Sequence, residues 1–174
     1  MKDYGLFYRK LTKWLRQSPK SVGYLILLNK VITYGLYLLY PLFLLGLIWQ
    51  GWLKDGMVES LKEVAPYVLI PAISFVLVTI IRRKINQPRP YETWPIKPLI
   101  AKNTKGQSMP SRHVFSATII AMCFFRVSPV FGILALLVAA ILGIVRVVGG
   151  VHYPKDVAVG YVLGLTFGSV LWFF

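Results

Sequence analysis

Between positions 146 and 156 the chain reads Arg146-Val-Val-Gly-Gly-Val-His152-Tyr-Pro-Lys-Asp156, with an arginine, a histidine and an aspartate at spacings of six and four. Apolar runs able to cross a bilayer flank it on both sides. Charged side chains at a membrane helix end are costly to keep without a partner or a task. Pro154 suits the first position of a helix, where a missing N–H does no harm. Asp156 then falls in the first turn, where the helix dipole favours a carboxylate. His152 lies just before that turn, and the two glycines supply a bend after Val148. This spacing suits an aspartate that holds and polarises a histidine, with Arg146 arriving from the preceding helix end.

Two more polar clusters border apolar runs. The chain has two histidines, and the other, His113, stands in Met109-Pro110-Ser111-Arg112-His113. Upstream is Arg82-Arg-Lys-Ile-Asn-Gln-Pro-Arg89-Pro90. Ser111 is placed to cap the following helix, whose free N–H groups form a favoured anion site. Arg82, Arg89 and Arg146 bring fixed charge and fork-shaped donors suited to phosphate oxygens. Cleaving a phosphate ester also needs a nucleophile and an acid for the leaving oxygen. The two histidines can supply both, although spacing alone does not say which one attacks. Two histidines and one aspartate among arginines make a poor cation site, so neither a metal nor another cofactor is expected.

These three clusters resemble the motifs of the type 2 phosphatidic acid phosphatase family, which run K-x6-R-P, P-S-G-H and S-R-x5-H-x3-D. Here they read R-x6-R-P from Arg82 to Pro90, P-S-R-H from Pro110 to His113, and V-R-x5-H-x3-D from Val145 to Asp156. The order and both internal spacings are kept over roughly residues 65 to 174. Arg82 replaces lysine and keeps the charge, Arg112 replaces glycine and could reshape the pocket, and Val145 replaces a serine hydroxyl.

The resemblance implies that His152 is the nucleophile and forms a phosphohistidine. It implies that Asp156 orients His152 and that His113 is the general acid and base. Arg82, Arg89, Ser111, Arg112 and Arg146 would bind phosphate. The expected activity is hydrolysis of a lipid phosphomonoester or pyrophosphate. Undecaprenyl pyrophosphate, phosphatidylglycerophosphate, phosphatidic acid and diacylglycerol pyrophosphate are the candidate substrates. A lipid phosphotransferase, or a silent lipid-binding or transport protein, is the alternative. Vanadium haloperoxidases carry a similar site but are soluble, unlike a chain this apolar.

The chain of 174 residues is 56% apolar with a formal charge of +14 and a mean hydropathy of +0.63. That composition excludes an ordinary soluble domain and indicates one polytopic membrane domain. The charge suits anionic head groups or phosphates. Nucleic acid is not an expected partner, because the basic residues flank apolar spans. Cys123 is the single cysteine, so no internal disulfide forms. The N-terminus lacks the pattern of a secretory signal.

The expected architecture is an all-α transmembrane bundle of about five spans plus an N-terminal amphipathic helix. The spans fall near residues 31–50, 65–81, 114–125, 130–148 and 154–174, with a loop of mixed charge at 51–64. Residues 1–30 form a basic amphipathic segment, and residues 31–174 the phosphatase domain, with a catalytic loop at 82–113. Stripes of Ala135, Ala139, Gly143 and of Gly160, Gly164, Gly168 suit close helix packing. With five spans, all three motifs and the N-terminus meet at one membrane face. Residues 1–30 hold seven Lys and Arg against Asp3, so the positive-inside rule places that face in the cytoplasm. A bacterial plasma membrane is the expected location.

Overall fold

The computed structural model describes residues 3–174, and among these there are helices and no strand. α1 (Tyr4–Arg16) is followed by α2 (Pro19–Asp55), α3 (Met57–Ile85) and the single turn α4 (Pro90–Thr93). Then come α5 (Arg112–Val127), α6 (Pro129–Val148) and α7 (Pro154–Gly168), which ends in a 3-10 turn, Ser169–Phe173. Four of these, α2, α3, α6 and α7 with its extension, are long and apolar enough to cross a membrane. The expected count of about five falls one short at α5, which runs alongside α7 from Gly160 beside Ser111 to Gly168 beside Met122 but whose 16 residues reach only about 24 Å at 1.5 Å per residue.

α5 is instead the axis of the bundle, packed against α2, α3, α6 and α7. Nine of its residues, from Val114 to Cys123, are buried. Ala117 and Ile120 meet Ile32 and Leu36 of α2 and Ala139 and Leu142 of α6. Phe115 and Ile119 meet Val78 of α3, and Met122 and Cys123 meet Leu171. The outer faces carry exposed Leu, Ile, Val and Phe along α2, α3 and α6, as a lipid-facing surface requires. Between helices in lipid, packing and close approach stabilise more than apolar transfer does. The α7 glycines serve this: a Cβ at Gly160 would stand 2.7 Å from the Ser111 carbonyl oxygen, and one at Gly164 2.5 Å from Thr118 Cβ. Gly164→Leu should therefore separate α7 from α5 and with it the site described below.

One expectation changes where α2 meets α3. Residues 51–64, expected as a loop, are helical on both sides of Gly56. Gly56 alone makes the turn with φ of 84°, a conformation that disfavours any side chain. The charges there lie where two long helices extend past the apolar layer; they do not end the helices. The short apolar run at 22–28 lengthens the first span within α2, which continues for 37 residues through Asn29 and Lys30. Pro71 sits inside α3 and cannot donate to the carbonyl of Tyr67 four residues back. The Tyr40 hydroxyl of α2 donates to that carbonyl instead, which satisfies the freed acceptor and ties α2 to α3.

Candidate active site

α3 ends at Asn86, whose left-handed φ of 41° turns the chain into the segment 87–111. That segment is braced internally. Ser108 N–H donates to the Gln87 carbonyl at 2.8 Å, and the Glu92 carboxylate accepts from Gly106 N–H at 2.7 Å. Leu99 and Ile100 N–H both donate to the Gly149 carbonyl, pinning the segment to the end of α6. From outside, α1 lies over the same loops: the Tyr8 hydroxyl donates to the Val148 carbonyl at 3.2 Å, and the Tyr4 ring packs edge-on to Tyr153. Gly150 has φ of 75°, and a Cβ there would meet the Tyr8 hydroxyl at 2.5 Å. The N-terminal helix and the three motifs therefore share one end of the bundle, as the span parity predicts.

His152 and Asp156 are both buried, 1% and 0% exposed. Pro154 opens α7, and Asp156 lies in its first turn, where its Oδ2 accepts from Tyr153 N–H at 2.9 Å. His152 Nδ1 is 3.6 Å from Asp156 Oδ2, close enough to be oriented by the carboxylate but longer than a hydrogen bond. The Ser108 hydroxyl fills that space. It donates to Asp156 Oδ2 at 2.5 Å and stands 3.4 Å from His152 Nδ1. Gln87 donates to the other carboxylate oxygen at 3.2 Å. With Nδ1 turned to this carboxylate cluster, Nε2 faces the opposite side of the ring. Burial, helped by Arg146 and Arg89, lowers the His152 pKa against the pull of Asp156, so the imidazole is neutral at pH 7.

Among the described residues, the arginines around this pair have no carboxylate partners. Arg82, 4% exposed, donates Nη1 to the Pro110 carbonyl at 2.9 Å, tying the end of α3 to the second motif. Arg89, 2% exposed, donates to the carbonyls of Gly106 and Val151. Arg146 donates Nη1 to Asn29 Oδ1 of α2 at 3.1 Å. Among the described residues, Arg82 Nε, Arg146 Nε and Nη2, and Ser111 Oγ are buried without a hydrogen-bond partner. Ser111 occupies the N-cap of α5, but its hydroxyl makes no capping bond. Its N–H donates to the Asp156 carbonyl at 2.9 Å, which docks the start of α5 on the start of α7. A buried guanidinium or hydroxyl left open is costly unless an anion comes to it.

His113 lies in the first turn of α5, half-buried, where Arg146, Lys102, His152 and Arg112 act on it. Arg112 turns toward α3, its guanidinium 5.8 Å from the centre of the Phe75 ring. Lys102, on the braced segment, belongs to the same positive cluster. Burial first, then Arg146, Arg89, Arg82 and Arg112, pull its pKa down to about 8. The structure thus gathers His152, Asp156, His113, Arg82, Arg89, Ser111 and Arg146 at one end of α5, with Arg112 at the α3 edge. Sequence reasoning missed Ser108, Gln87, Asn29 and Lys102 as members of this cluster. Ser108 stands three residues before Ser111, Gln87 two before Arg89 and Lys102 within the loop 82–113, signals that could have found them, whereas Asn29 had none. Among the described residues no three His, Cys, Asp or Glu side chains group as metal ligands.

Comparisons with known proteins fit this arrangement. The chain is 33% identical over 102 residues to decaprenylphosphoryl-5-phosphoribose phosphatase of Mycobacterium tuberculosis. That match covers 57% of this chain and 54% of the relative, so the chain spans about half of that protein's length. It is 31% identical over 144 residues to the bacitracin transport permease protein BcrC of Bacillus licheniformis, covering 80% of this chain and 68% of that one. Among solved structures, LpxE of Aquifex aeolicus superposes with a TM-score of 0.71 at 22% identity, covering 100% of this chain and 99% of its own. The transmembrane PAP2-type phosphatidylglycerolphosphate phosphatase of Bacillus subtilis gives a TM-score of 0.59 at 22% identity, covering 96% and 91%. At that identity the two structures establish the shared fold. The PAP2 superfamily model matches residues 63–174, which hold all three motifs and every long helix but α2, and the chain is accordingly a multi-pass membrane member of the PAP2 superfamily.

Proposed function

We propose that this protein is a metal-independent lipid phosphatase working through a phosphohistidine. The observation that supports it most is the set of buried, unpartnered donors on Arg82, Arg146 and Ser111 beside a neutral His152 held by Asp156. In this reading those donors take the phosphate oxygens and stabilise the charge of the five-coordinate transition state. His152 Nε2 attacks phosphorus, and the bond from phosphorus to the lipid-side oxygen breaks. His113 gives its proton to that leaving oxygen. A water then attacks the phosphohistidine, His113 takes its proton, and inorganic phosphate leaves while His152 returns to the neutral form. Asp156 keeps the Nδ1 proton in place and stabilises the imidazolium that forms. Fixed guanidinium charge supplies the neutralisation that a metal ion supplies elsewhere.

The named activities of relatives support a lipid substrate with a phosphate at its head. One relative is a phosphatase of a decaprenylphosphoryl sugar phosphate, and a structural neighbour is a phosphatidylglycerolphosphate phosphatase. Undecaprenyl pyrophosphate, phosphatidylglycerophosphate, phosphatidic acid and diacylglycerol pyrophosphate remain the substrate set, and the bacterial sources of the relatives support a plasma-membrane location. The test is phosphate release by purified protein from a panel of these lipids, with and without EDTA, alongside acid-labile labelling from a phosphorus-32 substrate. Release that survives EDTA and leaves label on histidine supports the mechanism. Release that needs Mg²⁺ would overturn its metal-free form, and label passed only to added alcohol acceptors would indicate a phosphotransferase.

A further inference from the structure

We infer that Asn29 of α2, outside the stretch matched by the family model, is a positioning residue that aims Arg146 at the phosphate and keeps its charge free. The inference rests on reading the cluster around His152 as a phosphate site.

Arg146 is 3% exposed near the end of α6, and its single partner among the described residues is Asn29 Oδ1, 3.1 Å from Nη1. A guanidinium is a rigid planar fork, so fixing one nitrogen fixes the direction of the others. The bond to Asn29 occupies Nη1. It leaves Nε and Nη2, the edge whose two N–H bonds run parallel and match two oxygens of a tetrahedral anion. Those are the two Arg146 nitrogens that are buried and unpartnered. The chemistry of the partner also matters. An amide oxygen orients the fork while leaving its full charge for an anion. A carboxylate at the same place would neutralise the fork and compete with phosphate for it. The chain has six acidic residues, and among the described residues none forms an ion pair with Arg146. α2 therefore does more than cross the membrane.

Two roles for Asn29 give opposite outcomes for Asn29→Asp. If Asn29 only joins α2 to α6, a charge-assisted bond to Arg146 should hold the helices as well or better. If it positions and preserves an anion-binding charge, the same change should weaken anion binding.

The experiment uses the full chain in detergent, with orthovanadate as the probe. It reads the unfolding temperature without ligand and the vanadate dissociation constant from the ligand-induced shift. The expected result for Asn29→Asp is an unfolding temperature at or above wild type and a dissociation constant raised about ten-fold or more, as for a lost charge-assisted bond. Asn29→Ala should weaken binding by a smaller factor and add nothing in an Arg146→Ala background. Should the Arg146→Ala chain not fold, the Asn29→Asp result stands alone. Wild-type vanadate affinity in Asn29→Asp, or an undiminished Asn29→Ala effect without Arg146, overturns the inference. Wild type that binds vanadate but releases phosphate from no lipid sinks the proposed function and leaves Asn29 judged by binding. Wild type that binds no vanadate overturns both.

Discussion

Where α2 meets α3 at Gly56, basic side chains stand beside acidic ones. Lys54 is 3.0 Å from Asp55 and Lys62 is 2.7 Å from Glu59, with all four side chains at least 39% exposed. At the other end of the bundle Arg82, Arg89 and Arg146 are each 4% exposed or less and bond to carbonyls and an amide, and among the described residues to no carboxylate. Exposed pairs in water contribute little, because solvent screens them and ordering long side chains costs entropy. Buried cations without a counter-charge are costly, and they persist where the missing charge arrives with a ligand. The exposed pairs thus mark the polar ends of the helices, and the cations left open mark the end where the proposed chemistry lies.

That contrast is broken most severely at the histidines. His152→Ala and His113→Ala are each expected to lower phosphate release from lipid phosphates by about a thousand-fold or more, the range for losing a nucleophile or a general acid. Turnover within ten-fold of wild type in either mutant moves the chemistry to other residues. Next comes the shape of the charge. Arg146→Lys keeps the charge and loses the fork, and should cost roughly ten- to a hundred-fold in kcat/KM, the equivalent of about 1.5 to 3 kcal/mol for a charged hydrogen bond. Unchanged kinetics would mean that Arg146 binds no substrate oxygen.

Ser108→Ala tests the carboxylate side of the site. The hydroxyl donates to Asp156, so its loss should lower kcat about ten-fold with little change in KM, as for one charge-assisted bond felt in the transition state. An effect confined to KM would place Ser108 on the substrate instead.

A smaller effect follows from Lys102, with a pKa near 8. The lysine is charged below that value and neutral above it. Its attraction for an anion is full at pH 6 and fades as pH rises through 8. Vanadate affinity should therefore fall a few-fold between pH 7 and 9, and Lys102→Met should remove that part of the slope. A slope unaltered in Lys102→Met would show that the lysine does not face the ligand. At the far end Lys62→Ala, which deletes an exposed pair, should change neither turnover nor unfolding temperature measurably. A clear loss of activity there would erase the distinction between the two ends.

The motif residues were legible because their chemistry leaves a pattern along the chain. Pro154 and Asp156 state a helix start in their own identities, and the structure shows that start. The helical class and the shared face of the motifs followed from apolar run lengths and their parity. What could not be read has a common physical cause. Ser108 and Gln87 reach Asp156 across 48 and 69 residues of chain, and Asn29 reaches Arg146 across 117. Such contacts are set by how the segment 87–111 folds back and how α2 lies on α6, and no local period encodes either. The continuity of α2 and α3 was hidden for a different reason. Hydropathy reports the apolar layer, whereas helix continuity depends on backbone hydrogen bonds, which charged residues permit and Gly56 ends.

α5 carries a consequence for how the protein is made. At 16 residues it is shorter than each of the four apolar spans, and Ser128 is the one residue between it and α6. Most of its surface is matched to protein, with buried Thr118 among the residues that face its neighbours. When α5 leaves the ribosome, those neighbours on α6 and α7 have not been synthesised. Alone, its 16 residues are too short to settle across the bilayer. Entry as a hairpin with α6, whose 20 residues are long and apolar enough to cross, is the expected route. The end of α5 that bears Ser111 and His113 would then reach its side of the membrane only once α6 has been translated.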